Sequence, residues 1–304
     1  MPRTTTSPPQ STAPVPAPGL LRLSLPGAIG MACVGGSVAV SGLLTSAPLF
    51  TVQAVRYAVA AVLLLGLARL AGRTVPRPRG AEWAWLTAVA GSGLVLFNVA
   101  LVRGSEHAEP AVLAVAVAGA PILLALVGPL LAGRRPVPAV VLAAAAVTAG
   151  AALIQGGGRS DATGLAWAAL TLACEVGFTL LAVPVLGRLG AWGVSVHACW
   201  IAAVALAAVG LGTEGPAAVL ALGPTEWMAT AYLAVVVTAL AFVLWYSTVG
   251  AIGSARAGLL TGVAPAAAAV AGPLLGGPPP GPVAAAGVAL VAVGPLLGLR
   301  ARSG

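Results

Sequence analysis

The chain has 304 residues, of which only 7% are charged and 59% hydrophobic, with a mean hydropathy of +1.03. Soluble domains carry roughly 25% charged residues, so this composition excludes a soluble globular domain and points to a bilayer, which about 20 apolar residues can cross as a helix. The formal charge of +8 comes from 15 arginines and no lysine, spread through short loops without a basic run among exposed aromatics, which excludes nucleic acid as a partner.

The first 19 residues are rich in Pro, Ser and Thr. Such a composition cannot build a core, and residues 1–25 are expected to form a disordered cytoplasmic tail. The tail lacks the layout of a cleaved signal peptide. Ten apolar blocks follow, punctuated by Pro, Gly and charge, near 27–45, 50–70, 83–102, 110–131, 137–154, 164–184, 191–211, 227–247, 256–275 and 282–299. The predicted fold class is therefore all-α integral membrane, with ten transmembrane helices.

Taken in chain order, the first block is rich in glycine (Gly27, Gly30, Gly35, Gly36), which suits close helix packing. The second carries Gln53, Arg56 and Tyr57 in its outer half. Arg56 has the fork geometry to hold a substrate carboxylate, or the length to snorkel to the headgroups. Asn98 in the third block can bond a substrate or a neighbouring helix. Proline interrupts the fourth block at Pro121 and Pro129, and the ninth at Pro265 and Pro273, where it is expected to kink the helix. In the sixth block Thr171, Glu175 and Thr179 share a face, bordered by Trp167 and Phe178. A carboxylate at that depth costs roughly 2.5 kcal/mol or more on insertion scales. Glu175 either binds a substrate amine, carries a coupling proton, or forms a structural ion pair with Arg56 or a hydrogen bond between helices. His197 and Trp200 in the seventh block are a candidate proton relay or an interface pair.

Arginine placement tests the span count. With a cytoplasmic N-terminus, 12 arginines fall on the inner side, Arg103 and Arg159 outside, and Arg56 within the membrane, while most acidic residues fall outside. That asymmetry predicts both termini in the cytoplasm. Trp83, Trp85, Trp192, Trp227, Trp245 and Tyr246 lie near predicted span ends, which suits interfacial rings.

An internal repeat divides the chain. APILLALVGPLLAG at 120–133 and APAAAAVAGPLLGG at 264–277 align at an offset of 144, matching Pro121 with Pro265 and Pro129 with Pro273. Val147, Gly150 and Leu153 continue the register to Val291, Gly294 and Leu297. Each half then holds five spans, residues 26–155 and 163–300. An odd number of spans inverts the second half, which is the architecture of many secondary transporters.

The sequence holds no HExxH, GxSxG or Walker A pattern, so no enzyme, cofactor or nucleotide site is expected. The three cysteines (Cys33, Cys174, Cys199) have no metal-ligand spacing. Two functional classes fit: a secondary transporter, and a non-transporting membrane accessory or sensor protein.

Across 26–300 the sequence resembles the drug/metabolite transporter superfamily, specifically its ten-helix EamA type. The resemblance rests on the two five-helix halves, Arg56 in VQAVRYAVAAVLLL, the Ala-Pro segments of the fourth and ninth blocks, and the stretch ATAYLAVVVTALAFVLWYSTVGAIGSARAGLL. It implies a carrier in the cell membrane that exports amino acids, related metabolites or drugs. The implied partners are a small-molecule substrate, the lipid bilayer, a coupling proton and, in a homodimer, a second copy of the chain. The sequence departs from the family where members often carry Gly-Glu after the fourth and ninth spans. It reads Gly133-Arg134-Arg135 and Gly276-Gly277-Pro278 there.

Overall fold

The computed structural model describes residues 19–274 and 279–300. The expected tail up to residue 18, Gly276-Gly277-Pro278, Arg3 and Arg302 lie outside the described residues. Among the described residues the chain is helical, without strands beyond one isolated antiparallel bridge between Ala108 and Ser160.

Among the described residues ten helical spans are long and apolar enough to cross a membrane: Leu20–Gly42, Leu49–Leu70, Glu82–Ser105, Pro110–Leu131, Pro138–Gln155, Ala162–Leu180, Val183–Thr213, Pro224–Ile252, Ser254–Pro273 and Pro282–Arg300. They are called the first to tenth spans below. Helix is the only open-ended element that satisfies its own backbone in hydrocarbon. The first span begins at Leu20, so residues 20–25, expected in the tail, are helical. The leucines at 20, 21, 23 and 25 extend the apolar run, and Pro26 is accommodated inside the helix.

The prolines act differently from a simple kink. The fourth span is interrupted at 118–119 and restarts at Ala120, which puts Pro121 in the first turn of the new segment. The ninth is interrupted at 259–262 and restarts at Val263, with Pro265 in its first turn. In a first turn the missing N–H of proline costs little, because that donor has no intrahelical acceptor. The break therefore precedes each proline. Pro129 and Pro273 sit inside the second segments.

Two spans also widen locally into π-helix, Ala90–Leu96 in the third and Leu233–Leu240 in the eighth. The seventh span bends at Gly190, whose φ of 66° is open to glycine. Large apolar side chains such as Val62, Leu131 and Leu142 point outward, as lipid-facing residues do, while small residues line the helix contacts.

The packing pairs the spans across the sequence. The fifth lies along the tenth and the second along the seventh. The first packs on the eighth and ninth, and the sixth on the third and fourth. At the fifth–tenth contact a Cβ on Gly150 would come within 2.7 Å of the Gly287 carbonyl oxygen, so the two backbones touch.

One aromatic expectation needs correction. Trp245 and Tyr246, expected at the interface, are 2% and 0% exposed in the core. Trp245 Nε1 donates to Thr179 Oγ1 at 3.1 Å and the Tyr246 hydroxyl donates to the Phe178 carbonyl at 3.0 Å. With both polar tips satisfied, neither ring needs water.

Candidate functional site

The second span places three polar residues, Gln53, Arg56 and Tyr57, within five residues of one helix. Arg56 is half-buried and bonded only to neutral groups. Its Nε donates to Thr238 Oγ1 at 2.8 Å, its Nη1 donates to Gln53 Oε1 at 3.3 Å, and its guanidinium carbon lies 5.2 Å from the centre of the Tyr57 ring. Tyr57 is buried, and its hydroxyl accepts from Asn98 Nδ2 at 3.0 Å. Asn98 also donates to the Leu94 carbonyl at 2.6 Å, within the π segment of the third span. The result is a hydrogen-bonded assembly built from the second, third and eighth spans. Gln53, Arg56, Tyr57 and Asn98, all expected from sequence, are brought together here.

Thr238 completes this group, and sequence reasoning missed it. It lies in the π segment of the eighth span, where its hydroxyl also donates to the Leu233 carbonyl at 3.0 Å, five residues back. π-helical turns recur at functional sites because the looser ladder frees backbone groups.

The sixth span supplies the second group. Glu175 is half-buried and has no hydrogen bond or ion pair among the described residues. The structural pair with Arg56 is therefore not formed. Thr171 and Thr179 are buried at 0% and 1% exposure. Thr171 donates to the carbonyl of Trp167, one turn back, and Thr179 accepts from Trp245. Their hydroxyls are thus committed to helix and core. Trp167 packs against Gly104 of the third span.

Phe178 links the two groups. Its ring fills the space left by Gly93 in the third span. It lies 4.9 Å from Phe242 and 5.1 Å from Tyr246, centre to centre, and these form a small aromatic cluster between the sixth and eighth spans. Cys199 of the seventh span is fully buried and free, in the same core as Tyr57 and Phe178.

His197 and Trp200 sit apart from these residues. Trp200 Nε1 donates to His197 Nδ1 at 3.0 Å, so Nδ1 is the acceptor and Nε2 carries the proton it shares with the Pro76 carbonyl at 3.0 Å. Trp83 stacks edge-on against both rings. This is a fixed, neutral tautomer at a loop contact.

Two further carboxylates tie elements together, and sequence reasoning passed over both. Glu82 accepts two guanidinium N–H groups from Arg188, which also donates to the Arg77 carbonyl at 3.0 Å. Glu214 caps the second span from the end of the seventh. A signal for one was present: Glu82-Trp83 and Glu226-Trp227 open the third and eighth spans at the same offset of 144. On the loops, His107 Nδ1 lies 3.0 Å from Asp161, whose other oxygen accepts from the Gly164 N–H at 2.7 Å, and Arg159 bonds Glu109 at 2.9 Å. The Gly164 N–H, and then His107, hold the Asp161 carboxyl below its ordinary value. Among the described residues no His, Cys, Asp and Glu cluster could hold a metal ion.

Residues 162–299 match the EamA-like transporter family. A protein of Streptantibioticus cattleyicolor described as a probable terminal-alkyne amino-acid exporter is 31% identical over 230 residues, which covers 73% of this chain and 75% of that one. A protein of known crystal structure superposes with a TM-score of 0.77 over 91% of this chain and 96% of the other, at 21% identity, a likeness of fold. With ten apolar spans and this relationship along most of its length, the chain belongs to the EamA-like transporter family of the drug/metabolite transporter superfamily and is a multi-pass membrane transporter.

Proposed function

We propose that the protein is a secondary transporter of the cell membrane that exports amino acids, related small metabolites or drugs by alternating access between two inverted five-helix halves, residues 26–155 and 163–300, with both termini cytoplasmic. The observation that carries this reading is the packing order. A shift of five spans maps the contact of the first with the eighth onto the sixth with the third, and the first with the ninth onto the sixth with the fourth. The second–seventh and fifth–tenth contacts map onto themselves. That is how contacts repeat about a two-fold axis.

Local structure supports the same register. The π segment Ala90–Leu96, moved along by 144 residues, covers 234–240 of the segment Leu233–Leu240. The break at 118–119 becomes 262–263 after the same shift and meets the break at 259–262 at residue 262. Gly150 meets Gly287 and Val291, while its counterpart Gly294 meets Ala143 and Val147. The family match over 162–299 coincides with the second half. Two halves of like build and opposite orientation can exchange conformations, which opens a site between them to one side and then the other. The site is read as the Arg56 and Glu175 groups, and Glu175 also serves as the carrier of a coupling proton. The relative's description as an amino-acid exporter supports amino acids among the substrate classes.

The test is transport in proteoliposomes without ATP, using a labelled amino-acid mixture and a cationic dye under an imposed proton gradient. Accumulation driven by the gradient is expected, reduced in Glu175→Gln. Failure to move any compound overturns the reading, and undiminished transport by Glu175→Gln removes that residue from the mechanism.

A further inference from the structure

At the inner end of the bundle the third span is tied to the seventh by an ion pair. The Glu82 carboxylate accepts two N–H groups of the Arg188 guanidinium and the backbone N–H of Arg79. Arg188 also donates to the Arg77 carbonyl, and His197 donates to the Pro76 carbonyl, each at 3.0 Å. A Cβ on Gly193 would lie 3.6 Å from Pro76 Cδ, so the 71–81 loop rests on the seventh span. These contacts fall on both sides of Gly190, whose φ of 66° marks the bend in that span. Positions of this kind absorb the φ/ψ changes of domain motion. A change of the bend would therefore have to release one side of the grip.

The outer end carries no equivalent pair among the described residues. The offset of 144 takes Glu82 to Glu226 and Arg188 to Leu44, so the acid is repeated and the base is not. Glu226 has no ion pair there. Gln53, in the place of His197, bonds Arg56, and Leu220, in the place of Pro76, is 83% exposed. The fourth and ninth spans show the same inequality. At their inner contact a Cβ on Gly128 would collide with Ser254 Oγ, and one on Gly258 would lie 2.8 Å from Leu124 Cβ. Gly272, the counterpart of Gly128, has nothing within 4 Å. The bundle is shut at its inner end and parted at the matching place outside.

We infer that the Glu82–Arg188 pair is a one-sided lock on the transport cycle: it holds the inner end shut while the site faces outward, breaks when the inner end opens, and, having no outer twin, biases the resting carrier toward the outward-facing state. This rests on the alternating-access reading, which also names the two ends, and it assigns the residues that set the balance between them. Glu82 and Arg188 are positioning residues, since neither belongs to the Arg56 or Glu175 group. The pair suits a lock that must open. Its side chains are 19% and 38% exposed, so water can take over both charges once they part. A fully buried pair would leave two unhydrated ions at that moment. An exposed pair held in two bonds shifts an equilibrium modestly, as a carrier that visits both states requires.

The experiment measures access from each side of oriented membrane vesicles with a membrane-impermeant maleimide. In a background with the native cysteines replaced (Cys33→Ser, Cys174→Ala, Cys199→Ala), Leu124→Cys reports the inner fourth–ninth contact, where Leu124 is 1% exposed. Its counterpart at the same offset, Ala268→Cys, reports the outer end. Glu82→Gln and Arg188→Gln are each expected to speed inner labelling roughly two- to fivefold, the range of an exposed ion pair, without speeding outer labelling. The charge-reversed double variant, Glu82→Arg with Arg188→Glu, should bring the inner rate back toward that of the background. A lesion that merely loosens the fold speeds labelling on both sides and lowers the thermal midpoint. Unchanged inner labelling in the single variants, a rise on both sides, or a reversed pair that labels as fast as the single variants overturns the lock. Transport of the labelled amino-acid mixture and the cationic dye by the wild type keeps the failures apart. Transport with unchanged labelling in the variants overturns the lock and leaves the transporter reading standing, and no transport of any compound removes both.

Discussion

Glu214 closes the first turn of a helix that begins 165 residues earlier: its carboxylate accepts the backbone N–H of Thr51 at 2.8 Å and the Thr51 hydroxyl at 2.7 Å. It also accepts the Phe50 N–H at 2.9 Å. The second span starts after Pro48, whose side chain cannot cap it, so the seventh span supplies the cap that local sequence lacks. A carboxylate at a helix N-terminus also meets the positive end of the helix dipole. Glu214→Ala should cost about 1–3 kcal/mol, because orphaned donors remain at the helix start. The thermal midpoint in detergent checks this. Glu214→Gln, which keeps one acceptor oxygen, should fall between the two.

Arg56 should separate charge from geometry. Arg56→Lys keeps the cation but loses the planar fork that reaches Thr238 and Gln53 together. Transport in proteoliposomes is expected to fall by about tenfold or more, equivalent to about 1.4 kcal/mol. The folded state should survive, judged by an unchanged gel-filtration profile. Thr238→Val should lower transport less, since Gln53 still holds the guanidinium.

His197 should not act as a proton relay. Its Nδ1 accepts from Trp200 and its Nε2 donates to Pro76, so both nitrogens are engaged. His197→Asn is expected to leave the pH dependence of transport between pH 6 and 8 unchanged, because histidine is the group that titrates there (about 6.5 unperturbed). A profile that loses its acid limb in this variant would place His197 in the mechanism.

The fifth–tenth contact should tolerate no added bulk. A Cβ on Gly287 would lie 2.5 Å from the Gly150 carbonyl oxygen, and one on Gly150 would lie 2.7 Å from that of Gly287. Gly287→Val is expected to push the helices apart at a cost of about 3 kcal/mol or more, near the top of the overpacking range. Gly66→Ala is the control, with nothing within 4 Å of the new methyl. Its thermal midpoint should match or exceed that of the wild type.

Asp161 carries a pH dependence of known sign. Its carboxyl is held below the ordinary value of 3.8, first by the Gly164 N–H and then by His107. A lowered carboxylate contributes stability that is present above its unfolded value and lost as pH falls through the folded one. The loop contact of 105–110 with 159–161 should therefore loosen below about pH 4, where an unperturbed Asp is about half-protonated. Hydrogen exchange at Gly164 would report it. Asp161→Asn should remove the pH dependence of that exchange.

The amino-acid sequence alone determined the class of the molecule and its span order. Apolar blocks of membrane length can satisfy their backbones only as helices, so composition and punctuation were enough to count ten spans and to mark Arg56, Glu175 and the offset of 144. The same local reasoning failed wherever a partner came from a distant span. It set Trp245 and Tyr246 at the interface because rings near a span end favour it, and the fold buried them once Thr179 and the Phe178 carbonyl took their polar tips. It read Thr171, Glu175 and Thr179 as one polar stripe, and packing divided them into two committed hydroxyls and one carboxylate without a partner. It offered Arg56 to Glu175, and tertiary structure gave Arg56 to Thr238. Helix and hydropathy are written in neighbouring residues. Which polar group meets which depends on how spans far apart in the sequence cross, from 66 residues for Trp245 and Thr179 to 182 for Arg56 and Thr238, and only the packed bundle decides that.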